Sequence, residues 1–396
     1  MDVIDIKGSV FLKSGEDTRL LAGHLWVFSN EISHIKGEIA AGDLCELFDS
    51  RGSFIGIGFY NPKSLIAFRL LSKEKIAVNS DFFAKKITEA LEFRKTVYPG
   101  ARSLRVVFGE SDFLPGLIID KYEDYLSVQA VSAGMDKNMG LLVEAMVRVL
   151  APKGIIARND SSLRAFEGLK ESVDILQGDV PENILIDENG CSFSVNLRSG
   201  QKTGFFFDQR ENRVLLSKYS RGKSVLDCHC HTGAFSVYAL KGGAKSVVAL
   251  DSSKPALEKA AENARLNSFG GAFEAVNADA LEYLEEQKKS QTKFDIIVLD
   301  PPALIKSRKH QKAGYRMYKK LNAAAISALK SGGILATSSC SHNLSQQDFM
   351  LMLKDAAGSA RRQALVLERG FQSKDHPVLV AMNESEYLKF AMLKVI

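Results

Sequence analysis

The pattern of apolar and polar positions changes character near residue 190. Beyond that point, short apolar runs alternate with stretches whose apolar positions recur at helical spacing. The runs that read as strands are 224–228 (SVLDC), 246–251 (SVVALD), 273–279 (FEAVNAD), 294–300 (FDIIVLD), 333–339 (GILATSS), 364–368 (ALVLE) and 387–393 (YLKFAML). Helical periodicity occupies about 233–241, 254–267, 280–289 and 313–330, between the first five. Such alternation predicts a doubly wound, largely parallel sheet. The link between the last two runs reads as too short for a crossover helix, so they should pair antiparallel.

The chain before residue 190 reads differently. Short strand-like runs at 9–13, 26–29, 44–50 and 54–60 are separated by Ser14-Gly15, Ala41-Gly42, Arg51-Gly52 and Asn61-Pro62, which suggests a small β-barrel over 1–77. A helix at 81–98 follows, with Phe82, Phe83, Ile87 and Leu91 on one face. Strands near 104–108, 116–120 and 125–131, a helix at 136–150 and a strand near 155–158 complete an α+β segment over 78–188. The expected architecture is therefore multidomain, with an α/β domain at 189–396.

Composition narrows the class. At 45% hydrophobic and 25% charged residues, the chain is of ordinary globular type rather than disordered or fibrous. Its first residues lack the apolar run of a signal peptide, and no stretch approaches the ~18 apolar residues of a membrane span. No membrane partner is expected. Cys45, Cys191, Cys228, Cys230 and Cys340 are scattered and odd in number, which argues for a reducing cytoplasm over a disulfide framework. The net charge of +5 conceals an asymmetry, since residues 1–190 are acidic while 191–396 hold 30 lysines and arginines against 19 acidic residues. An excess of that size predicts a polyanionic partner for the C-terminal part.

In open α/β sheets, ligands lie at the carboxyl ends of the strands near the topological switch point. Three strands end in a carboxylate there. The first gives Asp227, followed by Cys228, His229, Cys230, His231, Thr232, Gly233 and Phe235, where Gly233 would let the backbone approach a ligand at a helix start. The second ends at Asp251, 24 residues later and beside Ser252, where a carboxylate accepts both ribose hydroxyls. The third ends with Asp279 and Ala280, suited to an adenine amino group and an amide contact. A dinucleotide needs GxGxxG for its pyrophosphate, whereas this turn has one glycine and the bulky Phe235. S-adenosylmethionine (SAM) has no phosphate and a positive sulfonium, so SAM is the expected cofactor and an NAD oxidoreductase is disfavoured. The alternating Cys228–His231 run projects to opposite faces and has no second pair at zinc spacing, so no metal is expected.

The fourth strand ends in Asp300-Pro301-Pro302, a carboxylate beside rigid carbonyls that suits a flat base, with Asp300 and Pro302 also reaching the cofactor. Residues 303–320 then carry Lys306, Arg308, Lys309, Lys312, Arg316, Lys319 and Lys320 without one acid, interleaved with Tyr315 and Tyr318. Cations with aromatic rings form a nucleic-acid footprint of phosphate contacts and stacking surfaces. The fifth strand leads into Cys340. Methylation of carbon 5 of a pyrimidine needs a nucleophile, and a thiolate adding to carbon 6 makes carbon 5 reactive. Cys340 is the candidate nucleophile and Asp300 the group that stabilises the adduct.

At these residues the chain resembles the bacterial large-subunit ribosomal RNA cytosine-5 methyltransferases of the methyltransferase I type. The resemblance spans essentially the whole chain and rests on 199–210 (SGQKTGFFFDQR), Asp300-Pro301-Pro302 with its basic loop, Cys340 between Ser339 and Ser341, and Asp375-His376-Pro377. It implies a PUA-like RNA-binding barrel, whose opening matches 23–29 (GHLWVFS), and a class I Rossmann-like SAM methyltransferase domain with a seven-stranded sheet. It also implies 23S ribosomal RNA, naked or within a ribosomal particle, as the partner; a homodimer is compatible with it. Lys202, Thr203, Phe206, Asp208 and Arg210 correspond to the family's cover over the cofactor. Two departures stand out: the Cys228–His231 run is usually bulkier and less polar, and Ala303 stands where the wider group often has a second cysteine. The competing readings are a guanine-nitrogen methyltransferase, for which Asp300-Pro301-Pro302 would suffice, and a non-catalytic RNA-binding assembly factor.

Overall fold

The computed structural model describes residues 3–198, 200, 203–289 and 293–396. The chain builds two units, each from several segments: 1–186, 195–207 and 374–385 form the first, and 187–194, 208–373 and 386–396 the second.

The first unit opens with a six-stranded sheet in the order Trp26–Val27, Phe68–Ser72, Phe54–Tyr60, Asp43–Phe48, Ile6–Leu12, Ile32–Lys36. Bulges interrupt several of its ladders and bend the sheet around a core of Val10, Leu25, Val27, Leu47, Phe68 and Leu70. Two of these strands were not foreseen. Ile32–Lys36 is almost wholly exposed and Phe68–Ser72 almost wholly buried, so neither alternates. A five-stranded sheet follows, in the order Ser172–Gly178, Gly154–Asn159, Tyr125–Ala130, Leu117–Tyr122, Ser103–Phe108. Helices Ser80–Val97 and Met139–Leu150 lay Phe83, Ile87, Leu142 and Met146 on Val106, Leu126, Val128 and Ile155. The second helix is shorter than expected because Asn138 separates it from a brief helix at Ala133–Lys137.

Buried charges fasten the returning segments of this unit. Arg94 has no exposed surface; its Nη2 donates to Asp112 Oδ2 at 2.7 Å and to the Asp375 carbonyl at 2.8 Å. Asp375 Oδ2 in turn accepts from the Arg105 amide at 3.0 Å. Arg158 Nη1 donates to the Leu197 carbonyl at 2.6 Å. A hairpin of Ile184–Glu188 and Cys191–Val195 leads toward the second unit, turning on Asn189 and Gly190 with φ of 54° and 72°. Positive φ at both positions is the type I′ turn that matches strand twist, and Asn-Gly is its preferred sequence.

The strands of the second unit are Ser224–Cys228 (β1), Ser246–Asp251 (β2), Ala272–Asn277 (β3), Phe294–Leu299 (β4), Leu329–Ser339 (β5), Ala364–Gly370 (β6) and Lys389–Val395 (β7). They lie in the order β3-β2-β1-β4-β5-β7-β6; β1 to β5 are parallel and β7 is antiparallel to both neighbours. The seven-stranded, doubly wound sheet expected from the alternation is present. The reason given for its antiparallel end was wrong, because the link from β6 to β7 is long and sends 374–385 into the first unit. Helices Arg210–Tyr219 (α1), Ala234–Lys241 (α2), Lys254–Asn267 (α3), Ala280–Lys289 (α4), Gln311–Ala328 (α5) and Gln346–Ser359 (α6) complete it. β4 is covered on both faces: Ile297 and Leu299 meet Leu321, Ala325 and Phe349, while Ile296 and Val298 meet Phe235, Leu240 and Phe390. The strand order reverses between β1 and β4, which sets the switch point at their carboxyl ends. Among the described residues, no helix is long and apolar enough to cross a membrane.

Candidate cofactor and catalytic site

Asp227, opposite Ala249 of β2 and Val298 of β4, has no exposed surface. Ser236 Oγ, from α2, donates to its Oδ2 at 2.6 Å, while Oδ1 is buried and meets no partner among the described residues. Burial pushes this carboxyl up to about 7 against the Ser236 hydrogen bond, and the charges of Asp300 and Asp251 push the same way. Each acid at this edge makes ionising the others harder, and a cation among them would relieve that repulsion. An orphaned carboxylate oxygen within an acidic strand edge fits the sulfonium and ammonium of SAM.

Beyond β1 the backbone turns sharply, with His229, His231 and Gly233 at φ of 60°, 49° and 77°. Asp251 holds the turn: its Oδ2 accepts from the His231 amide and its Oδ1 from the Ser253 amide, both at 2.9 Å. From α3, the fully buried Asn263 donates to the Thr232 carbonyl at 2.9 Å. Gly233 is also required by packing. A Cβ there would stand 2.8 Å from the Ala260 Cβ, so the glycine lets the turn settle on α3. Phe235 is likewise turned into the core, stacked on Phe390 at 6.3 Å. His229 faces the acids: burial lowers its pKa while Asp251 and Asp279 raise it, and its buried Nε2 has no partner among the described residues.

Farther along the edge, Asp279 is exposed and caps α4, its Oδ1 accepting from the Leu281 and Glu282 amides at 2.8 and 3.0 Å. Ala280 is buried and Ser252 exposed. Asp208 accepts from Tyr387 Oη at 2.6 Å. Arg210 is committed to packing: its Nε donates to Glu188 Oε2 at 3.1 Å, and Arg213 Nη2 to Glu188 Oε1 at 2.6 Å, with all three side chains buried. Thr203 and Phe206 fall in the first unit, where the Thr203 hydroxyl donates to Asp120. Lys202 lies outside the described residues.

Across the switch point, Asp300 follows β4. Ser338 Oγ of β5 donates to its Oδ1, and Gln209 Nε2 donates to its Oδ2 at 3.2 Å. Pro301 is buried and Pro302 exposed. Cys340 follows β5 and alone among the five cysteines is not fully buried. Burial raises the thiols of Cys228 and Cys230, and among the described residues no group of three potential metal ligands is assembled.

Sequence reasoning missed Ser236, Gln209, Ser338 and Lys389. Lys389 opens β7 opposite Ser339, is 4% exposed, and donates to the carbonyls of Ser341 and Tyr387, both at 2.7 Å. Its signal was available, since it is the only charged residue in the run 387–393.

The basic segment divides by helical face. Lys306, Arg308, Lys309, Lys312 and Arg316 are exposed. Tyr315 and Tyr318, three residues apart, turn inward. Tyr318 has no exposed surface and its Oη lies 2.9 Å from Ser341 Oγ; half-buried Tyr315 donates to Asp355 Oδ2 of α6 at 2.9 Å. Burial and that carboxylate push the Tyr315 phenol up to about 12. The expected stacking role is corrected for Tyr318, which is wholly buried; half-buried Tyr315 ties α5 to α6, and the outward face of α5 offers cations.

Residues 165–373, more than half of the chain, match the family described as S-adenosylmethionine-dependent methyltransferase. The chain belongs to this family. Residues 10–73 of the methyltransferase match the PUA-like domain. Over 393 residues it is 39% identical to ribosomal RNA large subunit methyltransferase I of Aliivibrio fischeri, covering 98% of this chain and 99% of that protein. The Vibrio parahaemolyticus protein of the same name is 38% identical over 394 residues, again covering 98% and 99%. These relatives place the methyltransferase in the large subunit methyltransferase I family. A SAM-dependent methyltransferase structure from Streptococcus mutans superposes with a TM-score of 0.84 at 24% identity, covering 98% of this chain and 99% of that one, which supports the fold. A further structure, of a methyltransferase complexed with SAH, gives 0.84 and 24%, covering 98% of this chain and 100% of that one.

Proposed function

We propose that this methyltransferase acts on large-subunit ribosomal RNA in the cytoplasm and forms 5-methylcytosine through a covalent adduct at Cys340. The observation that carries the reading is the position of the partly accessible Cys340, two residues beyond the serine that holds Asp300. The relatives' names supply the substrate class, and the exposed cations of 306–316 suit a phosphate backbone.

Bound SAM supplies an electrophilic methyl group. Asp227, Asp251, Asp279 and Ala280 would hold it at the ends of β1 to β3: Asp227 would offset its positive charge, Asp251 would accept from the ribose hydroxyls and Asp279 from the adenine amino group. Asp300, fixed by Ser338 and Gln209, meets ring nitrogen 3 of the base, and the Cys340 thiolate adds to carbon 6. The displaced electron pair makes carbon 5 nucleophilic, carbon 5 takes the methyl group, and loss of its proton expels the thiolate.

The deciding experiment uses RNA carrying 5-fluorocytosine at the target. Wild-type protein should become covalently attached, because fluorine cannot leave as a proton does. Cys340→Ala should form no adduct and transfer no methyl group while retaining SAM and RNA binding. Methylated guanine as the product, with Cys340→Ala still active, would replace this reading with nitrogen methylation.

A further inference from the structure

Lys389 is a buried charge that the methyl-transfer scheme leaves without a task. Its backbone pairs with Ser339, and its ammonium donates to the carbonyl of Ser341, so it brackets Cys340 from both sides along the chain. The second acceptor, the Tyr387 carbonyl, is also neutral. Two dipoles thus solvate the charge and neither compensates it, a costly arrangement for a side chain 4% exposed. The frame is rigid: Ser341 Oγ lies 2.9 Å from Tyr318 Oη and accepts from the Ile305 amide at 3.1 Å.

We infer that Lys389 is a positioning residue for Cys340, its ammonium holding the thiol as a thiolate before attack. The inference rests on the reading of Cys340 as nucleophile. The balance is simple. The thiol proton passes to solvent, leaving the thiolate beside the Lys389 ammonium. The sulfur pair forms the bond to carbon 6, and the carbon 5–carbon 6 pair moves to carbon 5, which takes the methyl group as the methyl–sulfonium bond breaks and its electron pair stays on the departing thioether. A base then removes the carbon 5 proton; that electron pair restores the double bond as the carbon–sulfur bond breaks, and the thiolate returns beside the same ammonium. Burial lowers Lys389 to about 8, against the charges of Cys340 and Glu386, which puts its proton within the range of an ordinary thiol. The titratable groups around it are Cys340 at the end of β5, Glu386 on its own segment, Tyr318 through Ser341, and His342 and Asp208 through the Tyr387 side chain.

The test needs no RNA. Iodoacetamide labelling of the full chain, followed by mass spectrometry between about pH 6 and 10, reads the Cys340 thiolate directly, because the other four cysteines are buried. In wild type, the labelling midpoint should fall below the ~8.5 of a free thiol. Lys389→Met keeps the stem and removes the charge; its midpoint should rise by about one pH unit or more, with SAH binding and melting temperature near wild type. Lys389→Arg should retain a low midpoint. A wild-type midpoint at or above ~8.5, or a midpoint unmoved in folded Lys389→Met, would overturn the proposal. If Lys389→Met does not fold, the wild-type value decides alone. A low midpoint without 5-fluorocytosine trapping condemns the cytosine reading instead, and trapping with an unmoved midpoint condemns only the role of Lys389.

Discussion

The carboxyl edge of the methyltransferase sheet carries opposite chemistry on the two sides of its switch point. On the side of β1, β2 and β3 stand Asp227, Asp251 and Asp279, with a tight turn pinned by Asp251 and Asn263. On the side of β4, β5 and β7 stand Asp300, a thiol, a buried ammonium and a stretch of exposed cations. β1 to β5 are parallel on both sides, so the difference lies in what each strand end presents and in the antiparallel β7, which brings its amino end to this edge. One side suits a small cation and the other a large anion. Neighbouring strands are only about 4.8 Å apart, so the two environments meet within the width of a nucleobase.

Asp300 lies on the boundary and tests it most severely. Asp300→Asn should slow methyl transfer by roughly 10²- to 10³-fold, the range for losing a group that meets charge developing in the transition state. SAH affinity, measured by calorimetry on the same protein, should change little; an equal loss of affinity would assign Asp300 to the cofactor side. Asp251→Ala should weaken SAM binding by about 1.5–3 kcal/mol, since it removes charge-assisted bonds and loosens the turn. Cys340 labelling should be unaffected in that variant, and a change would show that the two sides are coupled.

A smaller effect follows from Asp227, whose folded pKa is raised to about 7 from an ordinary 3.8. With a raised folded value, the stability this proton contributes is complete below pH 3.8 and is lost as pH rises through about 7. A bound cation favours the ionised form, so SAM affinity should increase between about pH 6 and 8, by up to roughly tenfold. Asp227→Asn should flatten that dependence in a calorimetric series; an unchanged profile would remove Asp227 from the cation site. Smallest of all, Lys309→Gln should reduce the salt slope of RNA binding by about 0.7, the value for one phosphate contact on a single strand. SAM affinity should stay as in wild type.

What could be read from sequence follows the range of the forces involved. β1 to β5 and α3 were legible because each carries its own local pattern, and Asp227, Asp251, Asp279 and Asp300 because strand ends are predictable places. Ser338 and Gln209 were not, since each acquires its role only when distant segments deliver it to Asp300. Tyr318 misled for the same reason: its neighbours in sequence are cations, but its neighbour in space is Ser341. The exposed edge strand Ser172–Gly178 has no buried face to impose alternation, and it left no pattern to read. Asn189-Gly190 was a readable turn signal that passed unnoticed.

The place of β7 has a consequence during translation. It is the last of the seven strands to be synthesised, yet it lies between β5 and β6 and hydrogen-bonds to both. A nascent chain can therefore assemble β1 to β5 around the acidic edge while the far edge of β5, paired with β4 on one side only, still waits for its second neighbour. Lys389 comes with that strand, and Tyr387 just before it. Cofactor affinity should thus appear on the ribosome before a reactive Cys340 does, and a polypeptide stalled short of residue 386 would hold the methyl donor without being able to use it.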